Sequence, residues 1–162
     1  MSTEGNLEKH SEQEPAPAKE IWIIDDDKET IEGILRFWQM KTQDIGYGFK
    51  HFETGQSALE EIKRRKESKE KLPDLVFVDG ELEKDQEELR KGANLIKEIR
   101  SIEEIEQPKI IAHSSDFVNN VELLMAGADL GFQKKDITKS AEFLKDPEHY
   151  KHYSKKPERI SF

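Results

Sequence analysis

Residues 21–27 read Ile-Trp-Ile-Ile-Asp-Asp-Asp, an apolar run that ends abruptly in three carboxylates. Similar runs return further along. Leu75-Val76-Phe77-Val78 leads into Asp79, Ile110-Ile111-Ala112 into His113-Ser114-Ser115, and Leu130-Gly131-Phe132-Gln133 into Lys134-Lys135. Short apolar runs separated by helical stretches are the pattern of strands buried on both faces of a parallel sheet. Parallel strands all end on one edge, and open α/β sheets place their sites just beyond it. The spacing therefore predicts that carboxylates, hydroxyls and an ammonium converge on one small patch. Such a patch suits Mg²⁺, which takes hard oxygen ligands, and a phosphoryl group, which needs positioning and charge neutralisation.

The segments between these runs read as helices. Residues 28–41 place Ile31, Ile34, Leu35 and Trp38 at helical spacing, with Asp27 or Thr30 as the N-cap. Gly46-Tyr47-Gly48 breaks that helix, and Phe49, His51 and Phe52 suggest a further strand. Residues 56–69 turn Ala58, Leu59 and Ile62 inward, and Pro73 stops the charged end of this helix. Residues 92–100 are amphipathic. Residues 116–126 form a helix capped by Ser115 or Asp116, and residues 137–145 form a short last one. Residues 80–91 are highly charged and read as a long polar loop or exposed helical turn. Strict β-α alternation predicts an α/β fold, a doubly wound five-stranded parallel sheet with helices on both faces.

The chain has 162 residues, 34% apolar and 38% charged, with a net charge of −9. The apolar shortfall is concentrated at the ends. Residues 1–18 hold mostly Glu, Ser, Ala and Pro and are expected to be a disordered tail, because they have too little apolar surface to offset ordering entropy. Residues 19–146 are expected to form one domain, and residues 147–162 a polar C-terminal tail with a mild basic bias. The absence of cysteine excludes disulfides and thiol catalysis. No apolar run approaches the ~18 residues of a membrane span and no signal-peptide pattern is present, so a cytoplasmic protein away from the membrane is expected. The acidic balance argues against general nucleic-acid binding. The five histidines are scattered without metal-ligand spacing.

Taken singly, each strand-end cluster has an ordinary reading. Asp25-Asp26-Asp27 is a capping turn, Asp79-Gly80 a turn, Ser114 a helix cap, and Lys134-Lys135 a solvated pair. Taken together and in order, they resemble a response-regulator receiver domain, the phosphoacceptor half of two-component signalling, of the flavodoxin/CheY-like fold. The resemblance spans residues 20–146. It extends to Gly92 before an amphipathic helix ending at Arg100, and to Ala126-Gly127-Ala128-Asp129 before the last strand.

The resemblance implies roles. Asp79 would accept the phosphoryl group. Asp25 and Asp26 would hold Mg²⁺ with Asp79 and the backbone carbonyl of Glu81. Ser114 would bond a phosphoryl oxygen, with Ser115 as the alternative, and Lys135 would pair with the acyl phosphate, with Lys134 as the alternative. Phe132 stands where the family carries a rotating aromatic, or is simply a core residue. The donor would be a histidine kinase or histidine phosphotransfer protein, and the output a downstream protein target. Such a chain is a self-phosphorylating phosphoacceptor rather than a conventional enzyme, with autodephosphorylation left open. Several residues depart from the family pattern. Glu83 and Asp136 stand where proline is usual, the stretch from Asp79 to Gly92 is longer, and Glu81 and Asp116 are both acidic where phosphoryl lifetime is tuned.

Two other readings remain in view. A receiver-like binding module that is never phosphorylated would keep the fold without the chemistry. A haloacid-dehalogenase-type phosphatase also places Asp-x-Asp after its first strand, but Glu29 departs from its motif and Asp79 is left without a task.

Overall fold

The computed structural model describes residues 19–150. Five strands alternate with five helices: β1 (Glu20–Ile24), α1 (Lys28–Lys41), β2 (Gly48–Phe52), α2 (Gly55–Ser68), β3 (Leu75–Val78), α3 (Gly92–Arg100), β4 (Lys109–Ser114), α4 (Phe117–Ala126), β5 (Leu130–Gln133) and α5 (Ile137–Lys145). The sheet order is β2-β1-β3-β4-β5 and every pairing is parallel. This is the doubly wound α/β sheet that the alternation predicted. The expectations for residues 1–18 and 151–162 lie outside the described residues.

Strand alternation sorts the core into two layers. Ile21, Ile23, Leu75, Phe77, Ile111, Leu130 and Phe132 face α1 and α5. Trp22, Ile24, Val76, Val78, Ile110 and Ala112 face α2, α3 and α4. Trp38 ties the first layer together. Its ring packs at a tilt against Phe77, with centroids 4.7 Å apart, and its indole N–H donates to Ser140 Oγ at 3.0 Å, which joins α1 to α5. Two helix starts follow the sequence signals: Asp27 accepts from Thr30 N–H and Asp116 from Val118 N–H. Thr54, not among the expected caps, accepts from Ser57 N–H at the start of α2.

Residues 80–91 differ from expectation. They are not a wholly polar excursion, because Leu82 is fully buried, Leu89 nearly so, and Asp85 is buried as well. The two leucines anchor the loop against the α2–α3 core. The Asp85 carboxylate accepts from Gly55 N–H (2.6 Å) and Gln56 N–H (3.1 Å), which supplies orphan donors at the start of α2 with a partner from another segment. Two leucines among charges, with no apolar residue at the helical positions between them, are too sparse to mark a buried face, so the pattern concealed the anchoring.

At the far end of the loop, Gly92 N–H donates to Gly80 O at 3.0 Å. A Cβ on Gly92 would lie 1.9 Å from the Asp79 carbonyl oxygen, so only glycine fits. Packing also continues past residue 146. A 3₁₀ turn at Pro147–His149 brings the Tyr150 ring to 5.9 Å from Phe132 and 5.6 Å from Phe143.

Candidate active site

Ile24 on β1 pairs with Val78 on β3, so the residues that follow, Asp25 and Asp79, emerge side by side at the C-terminal sheet edge. Asp25, Asp26 and Asp79 each bring a carboxylate oxygen within 4.8 Å of the others. Each is oriented by backbone. Asp25 Oδ1 accepts from Asp27 N–H (2.9 Å), Asp79 Oδ1 from Gly80 N–H (2.8 Å) and Asp26 Oδ2 from Glu83 N–H (2.7 Å). The last bond makes the anchored 80–91 loop a wall of the site. His51 Nε2 donates to the Asp25 carbonyl at 2.7 Å and fixes the same turn from β2.

Among the described residues, one ammonium enters this group. Lys134 Nζ lies 2.7 Å from Asp25 Oδ2 and 3.5 Å from Asp79 Oδ2. Burial, and next the neighbouring Asp25 charge, push Asp79 up to about 7. Burial also raises Asp25, although Lys134 pulls the other way. Burial works against the charged form of Lys134, but the Asp25 and Asp79 carboxylates outweigh it and raise its pKa. Three carboxylates facing one ammonium leave negative charge uncompensated in a poorly solvated pocket. A hard divalent cation relieves that frustration, so the donor set fits Mg²⁺ or a close analogue.

The structure separates the two lysines. Lys134, not Lys135, reaches the acidic group, and Lys135 is exposed to solvent. Alternation along β5 explains this. Leu130 and Phe132 face the α1–α5 layer, and residue 134 continues that parity, as Asp25 does after Ile21 and Ile23 and Asp79 after Leu75 and Phe77. Counting in twos from Phe132 would have selected Lys134 from sequence.

Ser114 is buried at the end of β4, whereas Ser115 is exposed. The Ser114 hydroxyl accepts from Asp116 N–H at 3.2 Å, at the start of α4, rather than contacting Asp79. Glu81 gives its side chain to Lys91 (2.9 Å) and stands outside the three-carboxylate group. Asp27 caps α1. Phe132 is a core residue, 2% exposed and 5.5 Å from Phe143. Buried His113, packed against Phe77 and Trp38, is driven down to about 3 by burial and then by the Lys134 charge, so it is neutral.

No protein-family model matches the chain, and no curated protein matches it. Solved structures do. The signal receiver domain of a DNA-binding response regulator from Colwellia psychrerythraea superposes with a TM-score of 0.63 at 20% identity, over 82% of this chain and 99% of that one. The receiver domain of the histidine kinase CKI1 from Arabidopsis thaliana, complexed with Mg²⁺ and BeF₃⁻, gives 0.59 at 21% identity, over 82% and 91%. The Mn²⁺-bound form of response regulator Rcp1 gives 0.59 at 16% identity, over 78% and 91%. The chain therefore has the fold of response-regulator receiver domains. Among the described residues, no helix is long and apolar enough to cross a membrane.

Proposed function

We propose that this protein is a phosphoacceptor receiver that takes a phosphoryl group from a histidine protein onto Asp79. One observation carries the reading: Asp25, Asp26 and Asp79 gather within 4.8 Å at the strand ends, with Lys134 Nζ bridging two of them. Support comes from the strand ends at which these side chains stand and from two structures of similar fold that are described as Mn²⁺-bound and as complexed with Mg²⁺ and BeF₃⁻.

An Asp79 carboxylate oxygen attacks the phosphorus of a phosphohistidine. The new O–P bond forms as the P–N bond breaks, and the electron pair of that bond leaves with the imidazole nitrogen. The Lys134 ammonium, already between Asp25 and Asp79, balances charge on the phosphoryl oxygens and orients them. Ser114 donates its hydroxyl to a phosphoryl oxygen after leaving Asp116 N–H. Asp25, Asp26, Asp79 and the Glu81 carbonyl are the residues that would hold Mg²⁺, which supplies further neutralisation of phosphoryl charge when bound. Return to the resting state needs water to attack phosphorus, breaking the O–P bond and releasing inorganic phosphate with the Asp79 carboxylate restored. The cytoplasmic setting, the histidine-protein donor and a downstream protein target belong to the same reading.

Incubation with a small phosphodonor and Mg²⁺ tests it by intact mass. The wild type should gain one phosphoryl group, and chelation of the cation or Asp79→Asn should prevent the gain. Equal labelling of the Asn variant would refute Asp79 as the acceptor.

A further inference from the structure

Helix α4 is fastened to the ends of β4 and β5 by one buried amide. Asn120, 6% exposed, lies in the first half of α4. Its Oδ1 accepts from Ser114 N–H at 3.0 Å. Its Nδ2 donates to the Phe132 carbonyl at 3.0 Å and to the Ser114 carbonyl at 3.4 Å. A carboxamide offers two donors and an acceptor, and a buried one is costly to leave unpaired. Here all three are used on backbone, and two of the three bonds go to Ser114 itself.

The surroundings give this arrangement a direction. The Ser114 carbonyl that Asn120 grips also accepts from Lys134 N–H at 3.2 Å, so the amide is bonded to Ser114 directly and reaches the Lys134 backbone through one shared carbonyl. The Ser114 hydroxyl holds Asp116 N–H, and Asp116 caps α4. Ser114 is thus joined to α4 twice, through its hydroxyl and through its backbone. Gly131 leaves the room: a Cβ there would lie 3.1 Å from Ala112 Cβ and 4.0 Å from Asn120 Cγ, so a longer side chain would meet the amide. On its outer side, α4 exposes Phe117, Val118 and Met125.

We infer that Asn120 is a positioning residue: it sets the Ser114 backbone against β5 and makes α4 follow Ser114 when that hydroxyl turns toward a phosphoryl group on Asp79. The inference rests on the phosphoacceptor reading and deepens it. When the hydroxyl leaves Asp116 N–H, one of the two ties to α4 is lost. The Asn120 tie remains and transmits the displacement of Ser114 to the helix that carries the apolar outer face.

Backbone and side-chain amide NMR tests this with Mg²⁺ and beryllofluoride as the acyl-phosphate mimic. In the wild type, resonances of Gly80, Ser114 and α4 residues Val118–Met125 should all move on addition, and the Asn120 Nδ2 protons should move with Ser114. In Asn120→Ala, the Gly80 response should persist while the α4 response falls severalfold. An undiminished α4 response in that variant overturns the role of Asn120 and leaves the phosphoacceptor reading standing. If the variant does not fold, wild-type Nδ2 resonances that stay fixed while Ser114 moves overturn it equally. No response anywhere in the wild type removes the phosphoacceptor reading, and the positioning role with it.

Discussion

Removing the acceptor charge should stabilise the resting protein, and the gain should depend on pH. Asp79 has a folded pKa pushed from 3.8 up to about 7 by burial and by Asp25. A carboxyl raised in the native state binds its proton more tightly there than in the unfolded chain. Its contribution is therefore intact below the unfolded value and is lost as pH rises through the folded one. At ~1.4 kcal/mol per pKa unit, the full loss is roughly 4 kcal/mol by about pH 8, and less than ~1 kcal/mol remains at issue near pH 4. Asp79→Asn removes the titration while keeping the side-chain shape. Urea unfolding in chelator should then show the variant more stable than wild type by up to roughly 4 kcal/mol near pH 8, with the two converging toward pH 4. Excess Mg²⁺ should narrow the gap, since a ligand at a hundred times its Kd adds ~2.7 kcal/mol to the state it binds. A variant equal to or weaker than wild type near pH 8 without cation would refute the frustrated-carboxylate argument.

Three further outcomes follow from the geometry. Lys134→Gln should abolish phosphoryl labelling while Lys135→Gln leaves it near wild type, because only Lys134 touches Asp25 and Asp79; a rate assay with a small phosphodonor checks both. Gly92→Ala would bring a Cβ to 1.9 Å from the Asp79 carbonyl oxygen, and should cost more than ~2 kcal/mol in denaturant unfolding and slow labelling by displacing the acceptor. Gly33→Ala, on the exposed face of α1 with nothing within 4 Å of the added methyl, should instead raise stability by ~0.5–1 kcal/mol in the same assay and leave labelling unchanged.

The order and parity of the strands explain what could be read in advance. Apolar runs ending in Asp25, Asp79, Ser114 and Lys134-Lys135 announce a parallel sheet, because burial on both faces demands continuous hydrophobic strands and a shared edge collects their polar ends. Helix limits were legible where capping residues and periodicity agreed, as at Asp27 and the stripe Ile31, Ile34 and Trp38. Three features were missed. The choice between adjacent lysines was readable by counting in twos from Phe132, but it turns on side-chain parity at the end of β5, where a one-residue shift reverses the facing. The anchoring of residues 80–91 depends on Leu82, Asp85 and Leu89 meeting α2 and α3, and two leucines and a carboxylate in a charged stretch are too sparse a pattern to announce a buried face. Asn120 reads as an ordinary polar helix residue until β4 and β5 are placed beside it, because its partners are backbone atoms of two strands. Backbone partners of this kind leave no trace in a composition or a spacing.

The most direct test of the central claim is to locate the phosphoryl group after labelling. Borohydride reduces an aspartyl phosphate to homoserine, so peptide mass spectrometry of wild-type protein treated with phosphodonor, Mg²⁺ and borohydride reads the modified position. Phosphorylation at Asp79 should yield homoserine at position 79 and nowhere else. Homoserine at position 25 or 26, or a labelled protein without any conversion at 79, would contradict it.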